Sequence, residues 1–116
     1  MHYLYTHVVG TSGGNNDDLR EAIAMMSAGK LNPAALVTHI GGLNAVVDTV
    51  LNLPSIPGGK KLIYNHIDLP LTAIADFEEA GKTNPLFAEL DKICKAHNNL
   101  WCPEAEKYLL ANAPKN

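Results

Sequence analysis

Charge is what this sequence has least of. Of its 116 residues, 18% are Asp, Glu, Lys or Arg, against roughly a quarter in ordinary soluble domains. The shortage is one-sided: residues 1–59 hold only Asp17, Asp18, Arg20, Glu21, Lys30 and Asp48. A half so poor in charge is hard to keep soluble alone, so it is expected to be covered by more protein. Basic clusters are missing too. Nine Lys and Arg against 12 Asp and Glu leave a formal charge of -3, which removes the electrostatic basis for binding nucleic acid. No apolar run approaches the roughly 18 residues of a bilayer span, and Met1-His2-Tyr3-Leu4 has neither the basic start nor the apolar stretch of a secretory leader. The reading is a cytoplasmic chain with neither membrane nor nucleic acid as a partner. Cysteine is limited to Cys94 and Cys102, too few for a disulfide framework, so both are expected as free thiols.

What is present fits one compact α/β unit, with about three short strands and four to five helices. Tyr3–Val9 is rich in aromatic and β-branched residues and ends at Gly10, as a strand would. A strand so close to Met1 suggests that the natural start of the protein lies elsewhere. After the loop Gly10–Asn16, Asp17 or Asp18 can cap a helix whose apolar face is Leu19, Ala22, Ile23 and Met26, closed by Gly29. Leu36–Ile40 reads as a second strand and Lys60–Tyr64 as a third. Between them Leu43, Val46, Val47, Val50 and Leu51 follow the spacing of an amphipathic helix ending near Leu53-Pro54. That spacing turns Val47 inward, where aspartate should cost several kcal/mol, and leaves Asn44 and Asp48 on the polar side. From Pro70 onward short helices are expected, with Pro70, Pro85 and Pro103 at first helical positions. Leu86, Leu90, Ile93 and His97 share one face, Trp101, Ala105, Tyr108 and Leu109 another, and Ala113–Asn116 should fray.

Complete chemistry is harder to find. The loop Gly10-Thr11-Ser12-Gly13-Gly14 before a helix could cradle an anion, although it has no P-loop lysine and no ordered dinucleotide glycines. Its plainer role is a connection that needs positive φ. Cys94, His97 and Cys102 are spaced C-x2-H-x4-C, three of the four ligands of a structural metal site, while Cys94 also fits as a small buried apolar residue. His2, His7, His39, His66 and His97 form no nucleophile–base pair by spacing, and Glu78-Glu79 and Glu104/Glu106 fit solvated helix faces. Neither a catalytic residue nor a metal ligand is assigned.

One string of features is more specific. Val8-Val9-Gly10-Thr11-Ser12-Gly13-Gly14, Ala28-Gly29-Lys30-Leu31-Asn32-Pro33, Leu36-Val37-Thr38-His39 and Gly59-Lys60-Lys61-Leu62-Ile63, in that order, resemble the C-terminal section of a zinc-dependent medium-chain dehydrogenase/reductase, over about residues 2–65. Gly41-Gly42-Leu43, Ile56-Pro57-Gly58-Gly59, Pro70–Ile74 and Ala105–Leu110 are similar to its L-sorbose-1-phosphate reductase branch. The resemblance implies residues 1–66 as the end of a Rossmann-type dinucleotide-binding sheet and the returning catalytic region, and 67–116 as a helical extension. It implies a parent enzyme that moves a hydride between NAD(P) and a sugar-phosphate or polyol carbonyl polarised by zinc. The family's zinc ligands and dinucleotide turn lie upstream of anything matched here, so Cys94, Cys102 and His39 inherit no zinc role. Only Gly10, Thr11 and Ser12 correspond to positions near the cofactor, and Asn65-His66 stand where many members carry a phosphate-binding Arg. The chain is then inactive alone, its partners being the missing N-terminal part of the enzyme and further copies. The alternative is a self-sufficient small α/β module that binds an anionic ligand through Gly10–Gly14.

Overall fold

Two successive glycines, Gly41 and Gly42, sit where three stretches of backbone have to meet, and the architecture follows from that meeting. The structure, a computed structural model, describes residues 8–116, divided into one unit up to Asn32 and a second from Pro33 to Asn116. The strand expected over Tyr3–Val9 lies mostly outside the described residues; Val8 and Val9, at its end, are irregular and exposed.

In the first unit, α1 (Asn16–Ser27) is capped by Asn15 rather than by Asp17 or Asp18. The Asn15 carboxamide oxygen accepts from the Asp17 and Asp18 amides at 2.9 and 3.0 Å, and the Asp18 carboxylate accepts from the Asn15 amide at 2.8 Å. This reciprocal box needs a side chain at the cap and an acid three residues on; Asn15 and Asp18 supply both, with the cap two residues before Asp17. Gly29 ends the helix as anticipated, with φ +72°. None of the α1 side chains is buried.

The second unit is α/β. β1 (Val37–Gly42) runs into α2 (Val46–Asn52) through a 3₁₀ turn, and β2 (Lys60–Tyr64) returns parallel to β1. β3 (Thr72–Ala73) pairs antiparallel with the other edge of β1, giving the order β2-β1-β3. The expected helix at Pro70 is therefore replaced by an extended entry. β-branched Thr72 faces the open edge of β1, and that ladder outweighs a proline's tolerance for a helix start. Helices follow as α3 (Phe77–Ala80), α4 (Pro85–Lys95) and α5 (Pro103–Asn112), with Asn84 capping α4 through a 3.0 Å bond from the Leu86 amide.

Gly42 fixes how this unit closes. Its amide donates to the Leu69 carbonyl at 2.8 Å and the Leu43 amide to the Ile67 carbonyl at 3.0 Å. The segment after β2 thus lies directly on the end of β1, and a Cβ at Gly42 would stand 2.4 Å from the Ile67 oxygen and 2.5 Å from the Leu69 nitrogen. Ile40, Ile67, Leu69, Phe77, Phe87, Leu90, Cys94, Trp101 and Leu109 form the core around that junction. α4 buries Leu86, Phe87, Leu90 and Cys94, one step round from the expected face; Ile93 is only partly covered and His97 is exposed beyond the helix end. The tail does not fray. Ala113 is buried, Pro114 accepts from the Asp68 amide at 2.9 Å, and Lys115 bridges to Ile67. Backbone groups of Ile67 and Asp68, which belong to no strand, are thereby paired with the tail.

α2 is turned the other way from its expected register. Ala45 and Thr49 are buried, whereas Leu43, Val47, Val50 and Leu51 are 49, 67, 64 and 73% exposed. The reason lies at its entry: Asn44 Oδ1 accepts from the Leu69 amide at 2.9 Å, and with the two neighbouring backbone bonds this sets the helix rotation so that Ala45 and Thr49 turn inward and, of the expected stripe, Val46 alone is half-buried. Among the described residues no helix is long and apolar enough to cross a membrane.

The expected mutational contrast is accordingly reversed. Val47→Asp should shift stability by about 0.5 kcal/mol or less, as for an exposed site, while Asn44→Ala should cost roughly 1 kcal/mol through the lost bond to Leu69; urea unfolding of both variants checks this. Gly42→Ala, which forces backbone apart, should cost at least about 2 kcal/mol, whereas Gly10→Ala, with nothing within 4 Å of its added Cβ, should leave the melting temperature unchanged.

Candidate functional site

An open cleft of about 930 Å³ runs along β1, lined by His39, Gly58, Asp76, Glu78, Asp91 and Lys95 among others. Strand alternation presents His39 from the middle of β1, the 3₁₀ turn Ile74–Asp76 after β3 brings Asp76, and α3 and α4 bring the remaining charges. Thr38 Oγ1 lies 2.8 Å from His39 Nδ1, so the hydroxyl can donate to the neutral ring. Gly58, at φ +100°, closes the cleft from the turn before β2. A Cβ there would stand 2.7 Å from Thr38 Oγ1, so a side chain would break into the Thr38–His39 pair.

Electrostatics limit what this cleft can hold. Lys95 Nζ is 2.8 Å from Asp91 and 3.3 Å from Glu78, and the two carboxylates hold its ammonium charged above the usual range. With Asp76 unbalanced and His39 neutral, carboxylates outnumber cations three to one among those six lining residues. Such a surface repels phosphate and can accept hydrogen bonds from hydroxyls or a cation. Burial first, then the Lys61 ammonium, lowers the His39 pKa, with Asp76 opposing.

Of the residues singled out by sequence, the structure brings His97 and Cys102 together, without Cys94. Gly10, Thr11 and Ser12 are exposed and irregular in the first unit. The helix start they lead to already spends its Asp17 and Asp18 amides on Asn15, and two carboxylates stand beside it, which leaves an anion little to bind. Cys94 is buried, its thiol pushed up to about 11 by desolvation, then by Cys102 and Asp91. It does not join His97 and Cys102. Glu104 does: one ligand atom from each of His97, Cys102 and Glu104 lies within 4.8 Å of the others, and His97 Nε2 is 3.5 Å from the Glu104 carboxylate. The turn from α4 to α5, with Asn98 and Asn99 at φ 59° and 60°, makes that approach possible; no spacing rule at the sequence level anticipates it. Asp76, Asp91 and Lys95 were likewise unmarked, since each reads as an ordinary solvated charge.

A second polar network joins sheet and helices. Trp101 Nε1 donates to the Tyr64 hydroxyl at 2.9 Å, and that hydroxyl donates to Glu106 at 2.5 Å. Burial, then the Glu106 carboxylate, holds the phenol protonated well above its ordinary range, so it acts as a structural bridge rather than a proton-transfer group near neutrality.

The depressed pKa of His39 has a direct consequence. The folded state favours the neutral ring, so its contribution to stability is complete above the unfolded value of about 6.5 and falls away as pH drops through the lower folded value. Urea unfolding at about pH 8 and about pH 5 should show wild type losing more stability on acidification than His39→Gln; equal losses would count against the assignment.

No protein-family model matches the chain, and no solved structure matches it. Among curated proteins it is 63% identical over 111 residues to the uncharacterised protein YggP of Escherichia coli (strain K12), 51% over 110 residues to a mannitol-1-phosphate 5-dehydrogenase of Aliivibrio fischeri, and 48% over 113 residues to an L-sorbose 1-phosphate reductase of Klebsiella pneumoniae. These matches take in 96, 95 and 97% of this chain but 26% of each relative. The chain thus spans about a quarter of the length of the curated relatives it matches, and over that quarter it is homologous to a sugar-phosphate dehydrogenase and a sugar-phosphate reductase.

Proposed function

We propose that this chain is the C-terminal section of a zinc-dependent, NAD(P)-linked medium-chain oxidoreductase of the cytoplasm that interconverts a sugar phosphate or polyol phosphate and its carbonyl form. The observation that carries the reading is identity near one half, along nearly the whole chain, to two enzymes named for such substrates. The α/β build, with a parallel pair β1-β2 joined through α2, fits a fragment of a Rossmann-type enzyme.

The chain's own residues do not fit the cofactors by themselves. The cleft beside His39 is acidic and its Lys95 is paired, which suits neither a pyrophosphate nor a substrate phosphate. Exposed His97 and Glu104 and the buried Cys102 bring three donors close together, none of which lines the cleft. No hydride or metal step is therefore assigned to these residues. In this reading Gly10, Thr11 and Ser12 approach the nicotinamide end of a cofactor held by the rest of the enzyme, the acidic cleft meets hydroxyls at most, and the isolated chain is inactive. The whole enzyme is a homo-oligomer.

Replacing the matched stretch of the Klebsiella L-sorbose 1-phosphate reductase by this chain tests the proposal. The chimera should reduce L-sorbose 1-phosphate with NAD(P)H within about tenfold of its parent, and should lose activity on treatment with a zinc chelator. The chain alone should give no turnover. A folded chimera without activity would overturn the functional reading, and turnover by the chain alone would overturn its incompleteness.

A further inference from the structure

The outward face of α2 has no counterpart within the second unit. Leu43, Val47, Val50 and Leu51 recur at i, i+4, i+7 and i+8, a continuous apolar stripe, and all four are at least 49% exposed. From Leu43 to Gly59 the only charge is Asp48. Charge depletion around an apolar centre is the mark of a surface that stays covered. The helix also has little holding it from the inside: it contributes Thr49, half-buried Val46 and, just before its first turn, Ala45, and the Thr49 hydroxyl is buried without a hydrogen-bond partner among the described residues. A helix of seven residues gains almost nothing from propensity alone and relies on packing.

The share of the relatives that is matched points to one occupant. The relatives match 95–97% of this chain, so the region containing the stripe lies within the match, and three quarters of each relative lies outside it. We propose that Leu43, Val47, Val50 and Leu51 form the docking face for that remaining part of the same polypeptide, so that α2 becomes a two-sided buried helix only in the whole enzyme. This rests on the functional reading above for the identity of the remainder. It predicts an apolar, charge-poor partner surface belonging to the enzyme body rather than to a second copy of this chain.

Thiol labelling distinguishes the possibilities, because α2 carries no cysteine and both native thiols are buried. Val50→Cys and Asp48→Cys are made separately in the isolated chain and in the reductase chimera, and maleimide labelling rates are compared. In the isolated chain at low concentration both cysteines should label at similar rates. In the chimera the thiol of Val50→Cys should be protected at least about tenfold, the equivalent of 1.4 kcal/mol of local opening, with that of Asp48→Cys protected less. Val50→Asp gives a second readout: it should lower the chimera's melting temperature while leaving that of the isolated chain unchanged. Equal labelling of the two cysteines in the chimera would overturn the proposal. So would protection of Val50→Cys in the isolated chain that grows with concentration, which would make the occupant a second copy. A chimera that protects Val50→Cys yet turns over no sugar phosphate would leave the docking face standing and remove the functional reading.

Discussion

Backbone lying on backbone at Gly42 is the contact from which the second unit is organised. Because no side chain intervenes, the segment carrying Ile67 and Leu69 can bond directly to the end of β1. That bond delivers Ile67 and Leu69 into the core, leads the chain back along the free edge of β1 to form β3, and offers the Asp68 amide to Pro114. It also locks Asn44 and, through it, the rotation of α2. Sheet order, helix facing and the seating of the tail are separate features in description, yet each requires the same few ångströms of empty space.

The helical half is tied to the sheet by different chemistry. Phe77 packs against Phe87 and Trp101 with ring centroids 5.6 and 6.3 Å apart, and Trp101 reaches Tyr64 on β2 through a hydrogen bond. Aromatic packing with one satisfied polar link gives both burial and direction, which helps a small sheet of unequal strands hold three helices. The same arrangement leaves the cleft beside His39 lined by carboxylates from α3, α4 and the turn after β3, a surface that disfavours anions.

Much of this was legible in the residues. β1 carries β-branched residues running into two glycines and β2 carries Ile63 and Tyr64 after a glycine turn, and Asn84-Pro85 and Gly29 are local signals whose chemistry does not depend on the rest of the molecule. β3 was not legible, because two residues pair only when a third stretch of chain offers an open edge. The seating of Ala113–Asn116 is likewise a long-range event that no window contains. α2 is the most informative failure. Its periodicity is visible in the sequence but its direction is not, since the rotation is set by the long-range bonds of Gly42, Leu43 and Asn44 to Ile67 and Leu69. The site behaved similarly: Cys94 and His97 share a sequence spacing, while the approach of Glu104 to His97 and Cys102 depends on two left-handed asparagines in the α4–α5 turn.

Trp101 is the chain's single tryptophan, and its place makes it an internal optical probe. Its indole is 3% exposed, bonded to a tyrosine whose ring centroid is 6.4 Å away. Light absorbed by Tyr64 is within easy reach of transfer to the indole, and the indole's emission is shielded from water only while β2, α3 and α5 are all in place. Emission wavelength therefore reports the assembly of sheet with helices, and the part of the tyrosine-excited yield that Tyr64→Phe removes, out of four tyrosines, reports how closely β2 holds to the indole. Loss of the second before the first would mark a state in which the core is still dry but β2 has begun to leave.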